Sequence, residues 1–287
     1  MRDPELTRQW DQDGYVLLKQ VVPHDLIDRY NAEVAGFRRT CGETKDEHGF
    51  GQRIGLFHAK SPTGLAIAQN PEVRSFLRWV FREEAVLFGS LTFEAGTEQA
   101  AHQDSIFFFT QPEYAMAGAW VALEDVHPEA GPLFYYPGSH LWGVERAEAV
   151  WQARPDLHAK VQALAAWAPK QAEARAQLAG ELGNVWSELL AKRIADHAVQ
   201  PVQALVKKGD ALLWHAHLVH GGSPRKNRKL SRRSLVTHHT GLKALMFDMS
   251  TFFLKPANRF DAAAAMPRSV RDHPLGPFVP HAKPVTY

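Results

Sequence analysis

Apolar and polar positions divide the chain into a mixed opening, a strand-rich middle, a helical interruption and a second strand-rich run. Residues 4–18 pair a short polar helix with Gly14-Tyr15-Val16-Leu17-Leu18, a glycine-led apolar run of strand type. Pro23-His24-Asp25 then leads into a stretch whose apolar positions, Leu26, Ile27, Tyr30, Val34 and Phe37, fall at helical spacing. Cys41 to Gly55 reads as a polar loop, residues 64–82 return to helical period, and Val86 to Glu94 reads as a strand. Between Gly96 and His140 strands alternate with turns, among them Pro128-Glu129-Ala130-Gly131-Pro132 and Pro137-Gly138-Ser139-His140. Residues 144–195 change character: Ala, Glu, Gln, Lys and Leu dominate and predict two or three helices punctuated by Trp151, Trp167 and Trp186. Strand character resumes at Val202, turns at Lys208-Gly209-Asp210 and runs on through Trp214 to His220; residues 221–231 form a hairpin loop, and Arg232 to Thr240 returns as a strand. The tail, 241–287, shows no clear period and is expected to wrap the surface. There is no internal repeat.

This alternation predicts a mainly β architecture with surrounding helices. A chain of 287 residues fits one domain, 1–287, with a helical insertion at about 144–197 serving as lid or buttress. Charge adds little: 33 Lys and Arg nearly balance 31 Asp and Glu, which gives no reason to expect a nucleic-acid or membrane partner. One cysteine, Cys41, rules out an internal disulfide framework and a multi-cysteine zinc site, and fits a reducing compartment. The charged N-terminus and the lack of a bilayer-length apolar run make a soluble, cytoplasmic protein the expectation.

The chemistry concentrates in three residues. His102 and Asp104 stand two apart in Ala-Ala-His-Gln-Asp-Ser-Ile, so on a strand they would share a face and converge on one cation. His220, followed by Gly221-Gly222, supplies a second imidazole from another strand segment. Two histidines and a carboxylate make the facial set of non-haem iron(II) oxygenases, whose opposite face stays open for a co-substrate and dioxygen. Arg232, across a hairpin from His220, offers a guanidinium that can fork onto the far carboxylate of a diacid. Arg233 is its neighbour, strand alternation sends the two to opposite faces, and a register slip would exchange them.

The chain resembles the phytanoyl-CoA dioxygenase family of iron(II)/2-oxoglutarate oxygenases. The likeness is carried by Gly14-Tyr15-Val16, Gln99-Ala100-Ala101-His102-Gln103-Asp104, Trp120-Val121-Ala122-Leu123-Glu124-Asp125, Gly131-Pro132-Leu133, Pro137-Gly138-Ser139-His140, Gly209-Asp210, His220-Gly221-Gly222, and Asn227 with Arg232, in family order. The resemblance implies a double-stranded β-helix, a cupin-like jelly roll with helices outside. It implies iron(II) held by His102, Asp104 and His220, with 2-oxoglutarate as co-substrate gripped by Arg232, and with Trp120 and Thr92 beside the co-substrate. Family members often carry a serine two residues after the distal histidine. Here Gly222 stands there and Ser223 follows, so that contact is lost or passes to Ser223. A carboxylate at position 104, rather than a small residue, favours hydroxylation over halogenation by the same analogy.

The expected reaction is oxidation of an unactivated carbon of a small organic substrate, with release of succinate and CO2. An isomerase or hydrolase using the same ligands with another metal, and a non-catalytic binding module, are the other classes. His215 and His217 alternate away from His220 and read as structural; His140 reads as a packing residue. His238 shares the Arg232 face and can approach the pocket, a hydrogen-bonded core histidine being the preferred reading. Phe107-Phe108-Phe109 reads as core plus one pocket wall, while Trp142 and Trp151 are candidates for a lid formed by the helical block and the 41–55 loop. Residues 225–233 hold six cations, a solvated loop in the simpler reading and an attractor of an anionic substrate in the functional one.

Overall fold

Helix α1 (Pro4–Asp13) begins on an Asp3 cap that accepts from the Glu5 N–H, and it ends at Gly14, whose φ of 77° turns the chain into β1 (Tyr15–Leu18). The structure is a computed structural model that describes residues 3–41, 53–164, 171–256, 260 and 262–280. After β1 come α2 (His24–Cys41), β2 (Ile54–Gly55), α3 (Pro62–Ala68), α4 (Pro71–Phe81) and β3 (Ala85–Phe93). The helical stretch expected over 64–82 is two helices. Asn70 accepts from the N–H groups of Glu72 and Val73, and Pro71 starts the second helix in its first turn.

The strand-rich middle supplies β4 (Phe108–Gln111), β5 (Met116–Ala122) and β6 (Leu133–Tyr135), and the helical block supplies α5 (Ala147–Ala153), α6 (Pro155–Ala163) and α7 (Ala172–His197). Strands β7 (Val202–Gln203), β8 (Ala211–His215), β9 (His220–Gly222), β10 (Ser234–Gly241) and β11 (Leu245–Asp248) follow, and α8 (Met249–Leu254) closes the order. Two expectations are corrected here. The strand drawn from 211 to 220 is two strands in different sheets, because the chain turns between His215 and His220. The tail carries β11 and α8, elements of four and six residues that are too short to print a period.

Six antiparallel strands, in the order β1-β8-β5-β10-β3-β2, form the main sheet, faced by β7-β6-β9, with β11-β4 as a separate pair. One face of the main sheet packs on the N-terminal helices through Val16, Val121, Leu213 and Leu235 against Trp10, Ile27, Tyr30, Phe76 and Leu77. Its other face meets the small sheet through Phe93, Trp120, Leu133, Tyr135, Leu212, Trp214 and Val236. By residue, helix exceeds strand among the described residues, so the expected mainly β class is corrected to antiparallel sheets with a substantial helical coat.

Helices α5 to α7 share a core with α8, β4 and β11, where Val150, Leu157, Leu182 and Trp186 bury against Phe109, Phe247, Phe252 and Phe253. Trp151 donates its indole N–H to the Phe253 carbonyl at 3.0 Å, and the Trp142 ring stacks on His197 at 4.1 Å. Among the described residues, no helix is long and apolar enough to cross a membrane.

Candidate active site

The site begins with two glycines. A Cβ on Gly221 would lie 2.7 Å from the Gln99 carbonyl oxygen, and one on Gly222 would lie 2.9 Å from the Glu98 nitrogen. Bare backbone at these positions lets residues 97–102 run against β9. Gly222 N–H donates to the Gln99 carbonyl at 2.9 Å, and His102 and His220 exchange backbone bonds of 2.9 and 3.0 Å. The ladder sets the two imidazoles side by side, their ring centroids 4.3 Å apart. It also accounts for the departure at Gly222, since a serine there would press on the Glu98 and Gln99 backbone nitrogens and the Thr97 hydroxyl.

His102 therefore makes only an isolated bridge, and Asp104 opens a 3-10 turn over residues 104–106. The strand expected to align the pair is absent. Convergence comes from other anchors: the Gln103 amide donates to the carbonyls of His217 (2.6 Å) and Gly143 (3.0 Å), and Ser105 N–H donates to Ala216 at 3.1 Å. Asp104 Oδ1 then lies 3.7 Å from Nε2 of both His102 and His220. The three donor atoms fall within 4.8 Å of one another. Nδ1 of His102 lies 2.9 Å from the Ala100 carbonyl and Nδ1 of His220 lies 2.9 Å from the Leu218 carbonyl. Nδ1 must donate there, which leaves both Nε2 lone pairs turned toward Asp104, as metal-binding imidazoles require.

Electrostatics keeps the set ready for a cation. Burial drives the His102 pKa down to about 4, with His220 adding to the depression and Asp104 opposing it. Burial alone would raise the Asp104 pKa; the adjoining imidazoles and the Trp214 indole outweigh it and hold the group below the ordinary carboxylate range. Trp214 Nε1 donates to Asp104 Oδ2 at 2.8 Å. This leaves Oδ1 facing the imidazoles. The indole sits over Gly118, where a Cβ would come within 2.3 Å of it. These donors fit a divalent first-row metal.

A cavity of about 580 Å3 opens over the three residues, and Arg232 lines it. Arg232 is 3% exposed, its Nε is buried without a hydrogen-bond partner, and the described residues offer it no ion pair. Its guanidinium carbon lies 5.6 Å from the ring centroids of both Phe93 and Trp120. Burial lowers its pKa to about 10, with Arg225 adding and Glu124 opposing, so it stays charged at neutral pH. Arg233 points the other way, 2.7 Å from Glu94 and 3.9 Å from Glu124. Of the two neighbours, Arg232 lines the cavity and Arg233 does not.

Other expected residues divide similarly. Trp120 lines the cavity with its Nε1 buried and unpartnered. Thr92 does not line it: its hydroxyl turns to Tyr30 at 2.5 Å, toward the helices, which corrects its placement beside the co-substrate. Ser223 is corrected too, since its hydroxyl accepts from Gln203 at 3.3 Å outside the cavity lining. His238, read as a core histidine, lines the cavity, with Nε2 4.0 Å from Asp104 Oδ2. His215 packs 5.9 Å from Trp10, and His217 Nε2 lies 3.7 Å from Glu113, both away from the cavity. Of the basic run, Arg228 pairs with Glu98 at 3.0 Å and Arg233 with Glu94 at 2.7 Å, neither among the cavity lining. None of the described residues of 144–197 lines the cavity; of the 41–55 loop, 42–52 lie outside the described residues.

Arg53, Ser90, Met246, Met266, Pro267, Arg268 and Val279 are lining residues that sequence reasoning missed. Alternation along β3 would not have flagged Ser90, which shares the parity of Thr92 and whose hydroxyl lies 2.6 Å from His58 Nδ1. The tail gave no signal, because its residues reach the cavity through isolated contacts, Met266 N–H to Met246 and a single parallel bridge between Leu87 and Phe278, rather than through a regular element.

An antiparallel sandwich with two histidines and a carboxylate at one cavity defines a class, and comparison with known proteins narrows it. The family described as phytanoyl-CoA dioxygenase (PhyH) matches residues 10–234, and the chain belongs to that family. Phytanoyl-CoA dioxygenase domain-containing protein 1 of Mus musculus is 34% identical over 93 residues, 31% of this chain and 32% of that protein. The match thus spans about a third of the length of this curated relative. Among solved structures, the non-heme alpha ketoglutarate dependent epimerase SnoN from nogalamycin biosynthesis is 20% identical at a TM-score of 0.60, covering 92% of this chain and 94% of that one. EctD from S. alaskensis, with 2-oxoglutarate and 5-hydroxyectoine, is 18% identical at 0.59, covering 92% and 86%. At these identities the likeness is one of fold.

Proposed function

We propose that the chain is an iron(II)- and 2-oxoglutarate-dependent dioxygenase that hydroxylates an unactivated carbon of a small organic substrate. The reading gives 1–287 the role of one catalytic domain on a double-stranded β-helix, with the insertion at about 144–197 as its buttress. His102, Asp104 and His220 would hold iron(II), which when bound supplies activation of dioxygen coupled to oxidative decarboxylation of the oxo acid. Overall, R–H, dioxygen and 2-oxoglutarate give R–OH, succinate and CO2.

One observation carries the reading: the cavity that holds the three donors also holds a buried guanidinium with no carboxylate partner among the described residues. A buried charge without a partner costs several kcal/mol, so a ligand that brings an anion is favoured there. Arg232 would fork onto the distal carboxylate of 2-oxoglutarate, with Phe93 and Trp120 excluding water around the pair. The Ala100 and Leu218 carbonyls fix the imidazole tautomers, and Trp214 orients the Asp104 carboxylate. A metalloenzyme that used the same ligands without an oxo acid would leave Arg232 with no counter-charge.

SnoN is named an epimerase and EctD was solved with a hydroxylated compound, so related folds accompany more than one outcome. The carboxylate at 104 supports hydroxylation. The deciding measurement is succinate release by aerobic protein with iron(II), with and without 2-oxoglutarate. Release that needs both supports the reading; none in the presence of both, together with no 2-oxoglutarate-dependent rise in Tm, removes it.

A further inference from the structure

The two sides of the cavity belong to different apolar clusters. Phe93 and Trp120, the rings beside Arg232, pack with Leu133 and Val236, whereas Phe88 and Met246 pack with Phe108, Met266 and Val279. The second cluster adjoins the metal site. The Phe108 ring lies 5.3 Å from that of His238, whose Nε2 is 4.0 Å from Asp104 Oδ2, and the Phe107 ring stands edge-on to His102 at 5.9 Å. Six apolar side chains, Phe88, Phe107, Phe108, Met246, Met266 and Val279, thus line the cavity next to the three donors, on a wall separate from the rings beside Arg232. Such a wall suits an alkyl or aryl body.

Polar groups that share the cavity are already engaged. The Ser90 hydroxyl lies 2.6 Å from His58 Nδ1, and the Arg268 guanidinium donates to the carbonyls of Gly241, Leu242 and Ala244. Arg53 is not free either, and Arg232 serves the co-substrate in the reading above. An anionic substrate would therefore bury its charge with no guanidinium left to receive it. A cationic one would meet a lining in which Arg53, Arg232 and Arg268 outnumber Asp104, the one carboxylate among the described lining residues. An uncharged body incurs neither cost. Part of its wall comes from the tail: Met266 N–H donates to the Met246 carbonyl at 2.7 Å, and the Gln69 amide holds the Gly276 and Pro277 carbonyls at 3.1 and 3.0 Å just before Val279. Met266 is only partly buried, and its thioether can adapt to what lies against it.

We propose that the substrate is an uncharged, predominantly apolar molecule, its body held between the phenylalanine wall and the C-terminal tail, with Met266 as a specificity-determining residue. The proposal rests on the oxygenase reading and adds the substrate class. It gives residues 225–233 no part in attracting an anion, since Arg228 and Arg233 have carboxylate partners. A cavity of about 580 Å3 has the size of an ordinary small-molecule pocket, ~300–1,000 Å3.

The test uses full-length protein and two series matched in shape but not in charge: octanol, octanoate and octylamine, and 4-phenylbutanol, 4-phenylbutyrate and 4-phenylbutylamine. The Tm of nickel(II)-loaded protein with 2-oxoglutarate is read against each compound at neutral pH, and succinate release above the substrate-free rate is measured with iron(II), 2-oxoglutarate and air. In at least one series the alcohol should act at roughly tenfold lower concentration than either charged partner, because only the charged compounds bury an unpaired ion. Met266→Ala should weaken the alcohol roughly fivefold, the effect of uncovering one or two methylene groups, and Met266→Leu, which keeps the apolar volume, should stay within about twofold of the parent. Equal action across both charge series, a preference for acid or amine, no Tm shift with either alcohol, an unchanged response in Met266→Ala, or an equal loss in both variants overturns the proposal. Alcohol-dependent Tm shifts without iron-dependent succinate release would instead count against the oxygenase reading only.

Discussion

The two faces of the six-stranded sheet are built from alternate residues of the same strands, yet they bury different things. On β10, Leu235, Thr237 and His239 turn toward the N-terminal helices, whereas Val236 and His238 line the cavity. The helix-side face is close-packed, with Trp10 edge-on to Phe76 at 5.3 Å and Leu77 fully buried. The cavity side keeps His220, Asp104 and Arg232 out of water, Arg232 with its Nε unpartnered. One face stabilises the fold and the other holds charges that are costly until ligands arrive. Substitutions should therefore separate into those that change stability and those that change turnover.

The largest expected effect is on the cavity side. His102→Ala, Asp104→Ala and His220→Ala should each reduce iron-dependent succinate release to background, because each removes one of the three donors that would hold the metal. A variant that retains turnover would remove that residue from the metal site.

The neighbouring arginines give the next contrast. Arg232→Ala takes away one partner of a buried charge pair, a loss of about 2–5 kcal/mol in co-substrate binding, so the 2-oxoglutarate KM should rise roughly thirtyfold or more. Arg233→Ala breaks partly exposed pairs worth up to about 1 kcal/mol each and should leave KM within a few-fold. Reversal of the order would place the clamp on the wrong face of the strand.

Helix-side truncation should do the opposite. Phe76→Ala, at a side chain 1% exposed, should cost about 3–5 kcal/mol of unfolding free energy by urea titration. Turnover per folded molecule should stay near that of the parent. A smaller effect of intermediate kind is expected at Trp214, whose indole touches the cavity face and pins Asp104. Trp214→Phe keeps an aromatic body and deletes the N–H, so cobalt(II) affinity should fall roughly 10- to 100-fold with Tm nearly unchanged. Equal affinity would mean that packing alone orients the carboxylate.

What the sequence makes legible follows the same division. Residue types of unusual chemistry, His102, Asp104, His220 and Arg232, stand out because no core needs them at those positions, and the parity of β10 gives Arg232 its face. The geometry that unites them is less legible: Asp104 sits in a turn, and its convergence depends on Gln103, Gly221 and Gly222 contacts across distant segments. The role of the helical block is hidden for a related reason. An amphipathic pattern tells which face of α7 is apolar but not that Phe252 and Phe253 of the tail will cover it. Thr92 illustrates the opposite error, because a polar residue on a strand beside the site belongs to the helix-side face through Tyr30.

The smallest effect concerns acid stability and tests the helix-side face again. His239 is fully buried, its Nε2 2.9 Å from the Thr237 hydroxyl, and burial lowers its pKa to about 3, with His238, His58 and Arg74 adding to the shift. An unfolded histidine titrates near 6.5. Between those values the unfolded chain binds a proton that the folded chain refuses, so stability rises with pH across that window. The contribution is complete above about pH 6.5 and is lost as pH falls toward 3, with a limiting slope of about 1.4 kcal/mol per unit for one group. His217, whose pKa burial lowers to about 4, adds in the same direction. Urea midpoints of metal-free protein from pH 7 to 4.5 should therefore fall with acidity, and His239→Gln should flatten the decline without removing it. Superimposable slopes would show that His239 takes up its proton without unfolding the protein, and that the helix-side face admits a charge its packing was expected to exclude.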